Sequence, residues 1–344
     1  MNNANSLRAP AGNAVPALGR LSQFGLVRFS GPDNVSFLQG QLSNDTNRLT
    51  TGAPLLAALS TPQGRVVAVL HLLPHSSGVM AILPREIVLP IVERLRKYVL
   101  RAKVRIEDVS DQFAVFGRNG VDASPADGLP TPEPAHAYVE RDGIGVARLG
   151  SDRQSPLADR YWVIGTAHDL TTQGIVNPTA EEPGVEHAWR LADIRAGLPQ
   201  IYAATREMFV AQMLNLDLID GISFTKGCFT GQEIIARTQH LGRIKRRLHR
   251  LRLPAGTWAV GQAVHLTDGR SGRLTELAAV GAEFEALAVL TLETTSATTG
   301  ATAATGAAGA GAGATGAEDA VGGAASSTLV DATELPLPYA LGSA

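Results

Sequence analysis

The chain reads as an α+β protein that ends in a small β-barrel, and three features predict this. Apolar runs of strand length and two helical periodicities follow one another without a regular strand-helix-strand alternation. Two of the runs are joined by turn residues into a hairpin. Beyond residue 248 the texture changes to short strands punctuated by Pro254, Gly256, Gly261 and the pair Asp268-Gly269.

Taken in order, residues 25–30 form a strand that meets a turn at Gly31-Pro32, where Asp33 or Asn34 can cap a short helix carrying Val35, Phe37, Leu38 and Leu42. Residues 54–60 and 65–73 are the hairpin strands, separated by Thr61-Pro62-Gln63-Gly64. A strand at 79–83 precedes a helix over 86–100, in which Ile87, Ile91, Val92, Leu95 and Val99 keep close to a 3.6-residue period. Strands at 103–107 and 112–116 lead into a Pro-rich stretch (Pro130, Pro132, Pro134), and two more follow at 144–149 and 161–165. The second helix spans 185–196, with Trp189, Ala192 and Ile194 as apolar surface and Gly197-Leu198-Pro199 as its stop. A third begins at Gln232. The barrel strands fall at 248–253, 263–266, 272–276 and 285–292.

At 344 residues the chain suits two or three domains, and the change of texture sets 248–344 apart from what precedes it. Residues 1–20 are expected to be disordered. The first eighteen are rich in Asn, Ala and Pro, carry only Arg8 as a charge, and lack the apolar core of a secretory signal. A second disordered segment is expected at about 294–328, where an Ala/Gly/Thr tract has too few large apolar side chains to offset its ordering entropy. It inflates the 44% hydrophobic fraction without supplying core. The apolar signature resumes at 334–341, which is expected to return to the barrel.

Formal charge is −2, so global charge steers toward neither nucleic acid nor membrane. The longest apolar runs fall far short of the roughly 18 residues a membrane helix requires, and the protein is expected to be cytoplasmic. A single cysteine, Cys228, excludes an internal disulfide framework, a zinc finger and a cysteine-only iron-sulfur cage built by one chain. His71 and His75 read as strand and loop residues, with no metal site expected around them, Asn44 and Asp45.

Chemistry concentrates at Lys226-Gly227-Cys228-Phe229-Thr230-Gly231-Gln232-Glu233, followed by Ile234, Ile235 and Arg237. A thiol beside a helix N-terminus sits in a positive dipole field, and Lys226 can add a charge; both favour the thiolate. Gly227 and Gly231 permit backbone geometry closed to other residues and close approach of a ligand. From physics alone a lone cysteine is also compatible with a small buried hydrophobe.

This stretch resembles the K-G-C-[FY]-x-G-Q-E signature of the YgfZ family, folate-binding proteins related to the aminomethyltransferase (T-protein) of the glycine cleavage system. Supporting similarity lies at 31–45 (GPDNVSFLQGQLSND), at 194–199 (IRAGLP), and at 214–217 (LND-type LNLD) leading into 221–224 (GISF). The resemblance covers most of residues 21–292. It implies a GcvT-like fold: interwoven ferredoxin-like folate-binding domains, the first formed by 21–110 and 181–247 around a second at 111–180, with the barrel at 248–344. It further implies tetrahydrofolate or another reduced folate as bound ligand, and a role in iron-sulfur cluster assembly or repair that supports tRNA-modifying enzymes. Carried onto this chain, Cys228 becomes the reactive residue, and Lys226, Gly227, Gly231, Gln232, Glu233 and Arg237 the folate-binding set. The partners implied are folate, iron-sulfur enzymes or assembly proteins, and a weak tRNA contact.

The alternative is a folate-dependent one-carbon transferase. T-proteins carry an acidic pair shortly after a hairpin glycine, where this chain has Ala68 and Val69, and a pterin-binding glutamate where it has Arg195. An apolar pair cannot act as general base, so an accessory protein without aminomethyltransferase activity is the expectation. Two basic runs, Arg237 with Arg243, Lys245, Arg246, Arg247, Arg250 and Arg252, and Arg94 with Arg96, Lys97, Arg101, Lys103 and Arg105, hold 13 of the 30 basic residues and can attract a polyanion.

Overall fold

The structure, a computed structural model, describes residues 18–119, 129–130, 132, 137–149, 160–174, 184–240, 244–292 and 329–341. The Ala/Gly/Thr tract and residues 1–17 lie outside that set. The chain enters with β1 (Leu18–Arg20) and then builds a first antiparallel sheet from β2 (Phe24–Ser30), β3 (Leu55–Ser60), β4 (Val66–His75), β5 (Gly78–Pro84) and β6 (Arg105–Asp108), in the order β3-β4-β5-β2-β6. The helices α1 (Asn34–Gln41) and α2 (Val88–Arg96) cover one face.

β4 explains its own composition. Ala68, Leu70 and Leu72 pack under the helices while Val66, Val69 and Leu73 pack on the other side, so a nearly unbroken apolar run replaces alternation. The α2 helix is shorter than its sequence period suggests. Residues 85–87 form a 3-10 turn, and the amides of Lys97, Tyr98 and Val99 bond three residues back, which tightens the end.

The second sheet is β1-β7-β10-β9-β8, with β7 (Phe113–Asn119), β8 (Tyr138–Arg141), β9 (Ile144–Arg148) and β10 (Arg160–Thr166), followed by α3 (Ala167–Thr172). The expected disorder of 1–20 is corrected at its end. Leu18 to Arg20 pair with β7, and the buried Leu21 donates its amide to the Val115 carbonyl, so burial holds this short strand in place. The β8 strand and α3 have no counterpart in the sequence reading. The helix α4 (Val185–Ala196) matches the expected span and ends at Gly197 in the left-handed region. Its Trp189 packs on Trp162 of β10, ring centroids 4.5 Å apart.

Residues 197–231 hold no strand; they cross the first sheet as loops and 3-10 turns, ending in α5 (Gln232–His240). Phe209, Ala211, Leu214 and Leu216 form a core there with Val66 and Val69 below and Leu248 and Leu287 beyond. The last unit is a sheet ordered β12-β13-β14-β11-β15, from β11 (Arg246–Leu253), β12 (Ala263–His265), β13 (Ser271–Val280), β14 (Glu283–Thr291) and β15 (Thr333–Leu335). The expected barrel is therefore a curled five-stranded sheet. Its edge strands have three residues each, too short to ladder together, and a single bridge of Leu266 to Val330 spans them. Segment 334–341 does return to it, β15 pairing with β11.

Candidate functional site

A cleft of about 500 Å³ opens between the first and second sheets. Leu55 and Leu56 of β3 with His71, Leu72 and Leu73 of β4 form one wall; Ala147 and Arg148 of β9 and Trp162 of β10 form the other. Ala196 and Leu198 at the end of α4, residues 218–220 and Pro338 close it. Its size and its mostly apolar walls with a few polar groups suit a small organic ligand.

Three of those polar groups have defined states. His71 is buried, and desolvation, reinforced by the Arg160 charge, lowers its pKa to about 3, so the ring is neutral at pH 7. The Gln200 amide nitrogen lies 3.2 Å from its Nε2, which therefore accepts and leaves Nδ1 as the donor. The Trp162 ring sits against His71, centroids 5.3 Å apart, and its indole N–H is buried with no hydrogen-bond partner. Asp220, at the rim, pairs with Arg48 at 2.9 Å and adopts φ 56°. The buried indole donor and the neutral imidazole are polar groups set into otherwise apolar walls. Arg148, Trp162 and Asp220 were not picked out from sequence, and His71 was read there only as a strand residue; the one available signal was a histidine inside the apolar β4 run.

None of the seven residues singled out from the motif lines this cleft. The structure places them in a loop stitched to the first sheet beside it. The Lys226 ammonium donates to the carbonyls of Gln39 (2.8 Å), Leu42 (2.7 Å) and Asn44 (2.8 Å), which uses all three of its donors. Partial burial lowers its pKa to about 8 against the opposing pull of Asp45. It also lies over the buried Phe229 ring, 4.9 Å from the centroid. On the far side of the loop the Thr230 amide bonds the Gly40 carbonyl at 3.2 Å. Gly231 follows with φ 84°, where a Cβ would stand 2.6 Å from the Thr61 carbonyl of the β3–β4 turn. Only glycine combines that dihedral with that approach.

Anchored on both sides, the chain is left exposed at Gly227 and Cys228, and the thiol is free. Glu233 and Arg237 are exposed on α5, and Gln232 is half-buried at its start. The loop and the cleft communicate through Asn44. Its Nδ2 donates to the carbonyls of Leu56 (2.8 Å) and Asp220 (2.6 Å), both cleft residues, while its own carbonyl receives Lys226.

The positions that separate this chain from the transferase pattern are also placed. Ala68 and Val69 are fully buried in β4. Arg195 points to the last sheet, where it meets Glu285 at 2.9 Å, a carboxylate shared with Arg250 at 2.7 Å. In the basic run near 237–252, Arg247 is buried against Asp217 at 2.6 Å and Arg252 reaches Glu283 at 3.7 Å, whereas Lys245 and Arg246 are exposed. No helix among the described residues is long and apolar enough to cross a membrane.

No protein-family model matches the chain. Among solved structures, the glycine cleavage system aminomethyltransferase T of Bartonella henselae shares its fold, with a TM-score of 0.52 over 80% of this chain and 78% of that one at 15% identity. The tRNA-modifying protein YgfZ of Colwellia psychrerythraea is 32% identical over 233 residues, 66% of this chain and 69% of that protein. Those of Photobacterium profundum (32% over 241 residues) and Hamiltonella defensa (30% over 256 residues) match over 68% and 72% of this chain and 69% and 71% of theirs. With the aminomethyltransferase fold, the anchored Lys226–Glu233 loop and this identity over most of its length, the chain belongs to the YgfZ family.

Proposed function

We propose that this protein binds tetrahydrofolate or another reduced folate in the cleft between its sheets. In this reading it works in the cytoplasm as an accessory to iron-sulfur enzymes, tRNA-modifying ones among them, and Cys228 is its reactive group. The observation that carries the reading is the link from cleft to thiol. The side chain of Asn44 holds two cleft carbonyls, and its backbone holds the lysine of the cysteine loop. A ligand that shifts Leu56 or Asp220 therefore acts on the loop through two hydrogen bonds.

Chemistry of the transferase kind is not supported. Its base would stand in β4, and the residues there, Ala68 and Val69, are apolar and sealed from the cleft by neighbours. The relatives' printed name, tRNA-modifying protein, fits a role at one remove from tRNA, through the enzymes whose clusters are maintained.

Tetrahydrofolate is expected to raise the melting temperature of the wild-type protein, and Leu198→Trp, which fills the cleft, to abolish that shift. Cys228→Ala is expected to keep the shift while failing to restore the activity of a cluster-dependent tRNA-modifying enzyme in a deletion strain. Absence of a shift with every reduced folate tried would overturn the ligand, and full restoration by Cys228→Ala would overturn the role of the thiol.

A further inference from the structure

Each basic run of the sequence is partly engaged. Near 237–252, Arg247, Arg250 and Arg252 meet carboxylates; in the run ending at β6, Arg94 meets Glu207 at 3.6 Å and Arg96 donates to the Ile106 carbonyl, while Lys97, Arg101 and Lys103 stay open. After α2 the chain straightens, and burial alternates residue by residue: Arg101, Lys103 and Arg105 are exposed while Ala102 and Val104 are half-buried. Ala102, Val104 and Val99 pack against the core beneath the helices. A period of two is that of an extended strand, so the three cations stand on one side, each about 6.6 Å from the next. Lys97 and Tyr98 are exposed at the start of the same stretch, Tyr98 to 40%, and Leu100 follows them, exposed to 87%.

The backbone of this stretch is tied to the first sheet at two places. The Asp33 carboxylate accepts the Lys103 amide at 2.6 Å, and the Asp33 amide donates to the Lys103 carbonyl at 3.4 Å. Gly31, at φ 104°, lets that carbonyl approach where any Cβ would collide with it. Arg105 is paired with Ser30 in the β2–β6 register. Of the carboxylates beside it, Asp33 is engaged with the backbone and Glu107 with Arg28 at 3.1 Å, reaching Arg105 only at 4.0 Å. Among the described residues, Lys97, Arg101 and Lys103 have no ion-pair partner. The strand β6 is the sheet edge opposite β3, which lines the cleft, so this surface is separate from the ligand site.

We infer that this edge is a docking surface for RNA, with Lys97, Arg101, Lys103 and Arg105 contacting successive phosphates and Tyr98 offering a ring on which a base stacks. Exposed cations gathered on one short stretch, Lys97, Arg101 and Lys103 of them without ion-pair partners among the described residues, suit a polymer of anions, and an exposed aromatic beside them suits a polyanion that carries bases. A bilayer would instead call for a continuous apolar face, and here one leucine and one tyrosine project from a row of charges. The inference adds a direct contact to the indirect role in tRNA modification proposed above, and it rests on that reading only in taking tRNA as the RNA.

The test is anisotropy titration of an unmodified tRNA transcript with the full chain across a salt series, comparing wild type with a triple variant (Arg101→Gln, Lys103→Gln, Arg105→Gln) and with Tyr98→Ser. The triple variant is expected to bind at least about tenfold more weakly at low salt and to lose about 2 from the slope of log K against log salt. Tyr98→Ser is expected to lose about fivefold with the slope unchanged. Equal affinity and slope for wild type and triple variant would overturn the inference, as would no binding by wild type at low salt. Flotation of wild type but not the triple variant with phosphatidylglycerol vesicles, without an RNA signal, would assign the surface to membranes instead. The tetrahydrofolate shift, measured on the same preparations, reports independently on the cleft and on folding.

Discussion

Lys226 illustrates how a single side chain can serve a reactive residue without touching the reaction. Its ammonium ties three carbonyls at the end of α1 to the loop that carries the thiol, and those carbonyls have no other charged donor. Lys226→Met should cost about 2 kcal/mol in urea unfolding, because three acceptors lose a charge-assisted donor. Tetrahydrofolate should still bind, since the residue lies outside the cleft lining. The motif itself was plain in the sequence, because a lone cysteine between glycines is conspicuous. The division of labour within it was not. Which of Lys226, Gly231 and Cys228 anchors and which is presented depends on segments 39–44 and 60–64, distant in the chain and adjacent only once the sheet has formed.

Among elements, β13 and α4 share a buried acid. Glu276 of β13 accepts from the Tyr202 hydroxyl at 2.7 Å and lies 3.3 Å from Arg190 of α4, while its second oxygen has no partner. Burial raises its pKa to about 7, against the pull of Arg190. The folded state therefore keeps a proton that the unfolded state releases near 4.5, so this group's contribution to stability falls as pH rises from 4.5 to 7, by about 3 kcal/mol in all. His71 acts in the opposite sense. Its folded pKa is about 3 rather than 6.5, so its contribution is lost as pH falls through that window. The two slopes offset in wild type between 4.5 and 6.5. In Glu276→Gln the opposing carboxyl slope is gone, and urea midpoints should climb more steeply with pH than in wild type; parallel curves would refute the assignment.

The elements themselves were legible in uneven measure. The periodicity of α4 and the apolar run of β4 were readable because burial alone dictates them. The strands β1 and β8 were not, since three or four residues hold too little pattern, and their pairing partners are what make them strands. Charge runs were the least legible. The sequence displays Arg247 and Arg101 alike, and only packing buries the one beside Asp217 and exposes the other.

At the scale of the molecule, the last sheet is joined to the rest by its final segment. The Tyr339 hydroxyl donates to the Gly197 carbonyl at 2.9 Å and lies 3.3 Å from the Asn215 amide, Arg250 holds the Pro336 carbonyl, and Pro338 is a wall of the cleft. Ending the chain at residue 328 should therefore do two things at once. It should lower the urea midpoint, and it should weaken tetrahydrofolate affinity by more than the global loss of stability explains, read as a reduced ligand-induced shift at a temperature where the truncated protein is still folded. The GcvT-like arrangement could be reached from sequence only through the motif. The apolar segments say that sheets exist, whereas their order is set by which faces meet, and closure of the last sheet fails simply because its edge strands are short.

The placement of β1 bears on how the molecule is made. Leu18 pairs with Arg118, and the whole first sheet must be synthesised in between. The second sheet thus waits, with its opening strand unpaired, until β7 and β10 emerge, and Pro338 reaches the cleft later still. Nascent chains stalled anywhere before that point hold an incomplete ligand site, so competence to bind is acquired only once residue 338 has emerged rather than domain by domain.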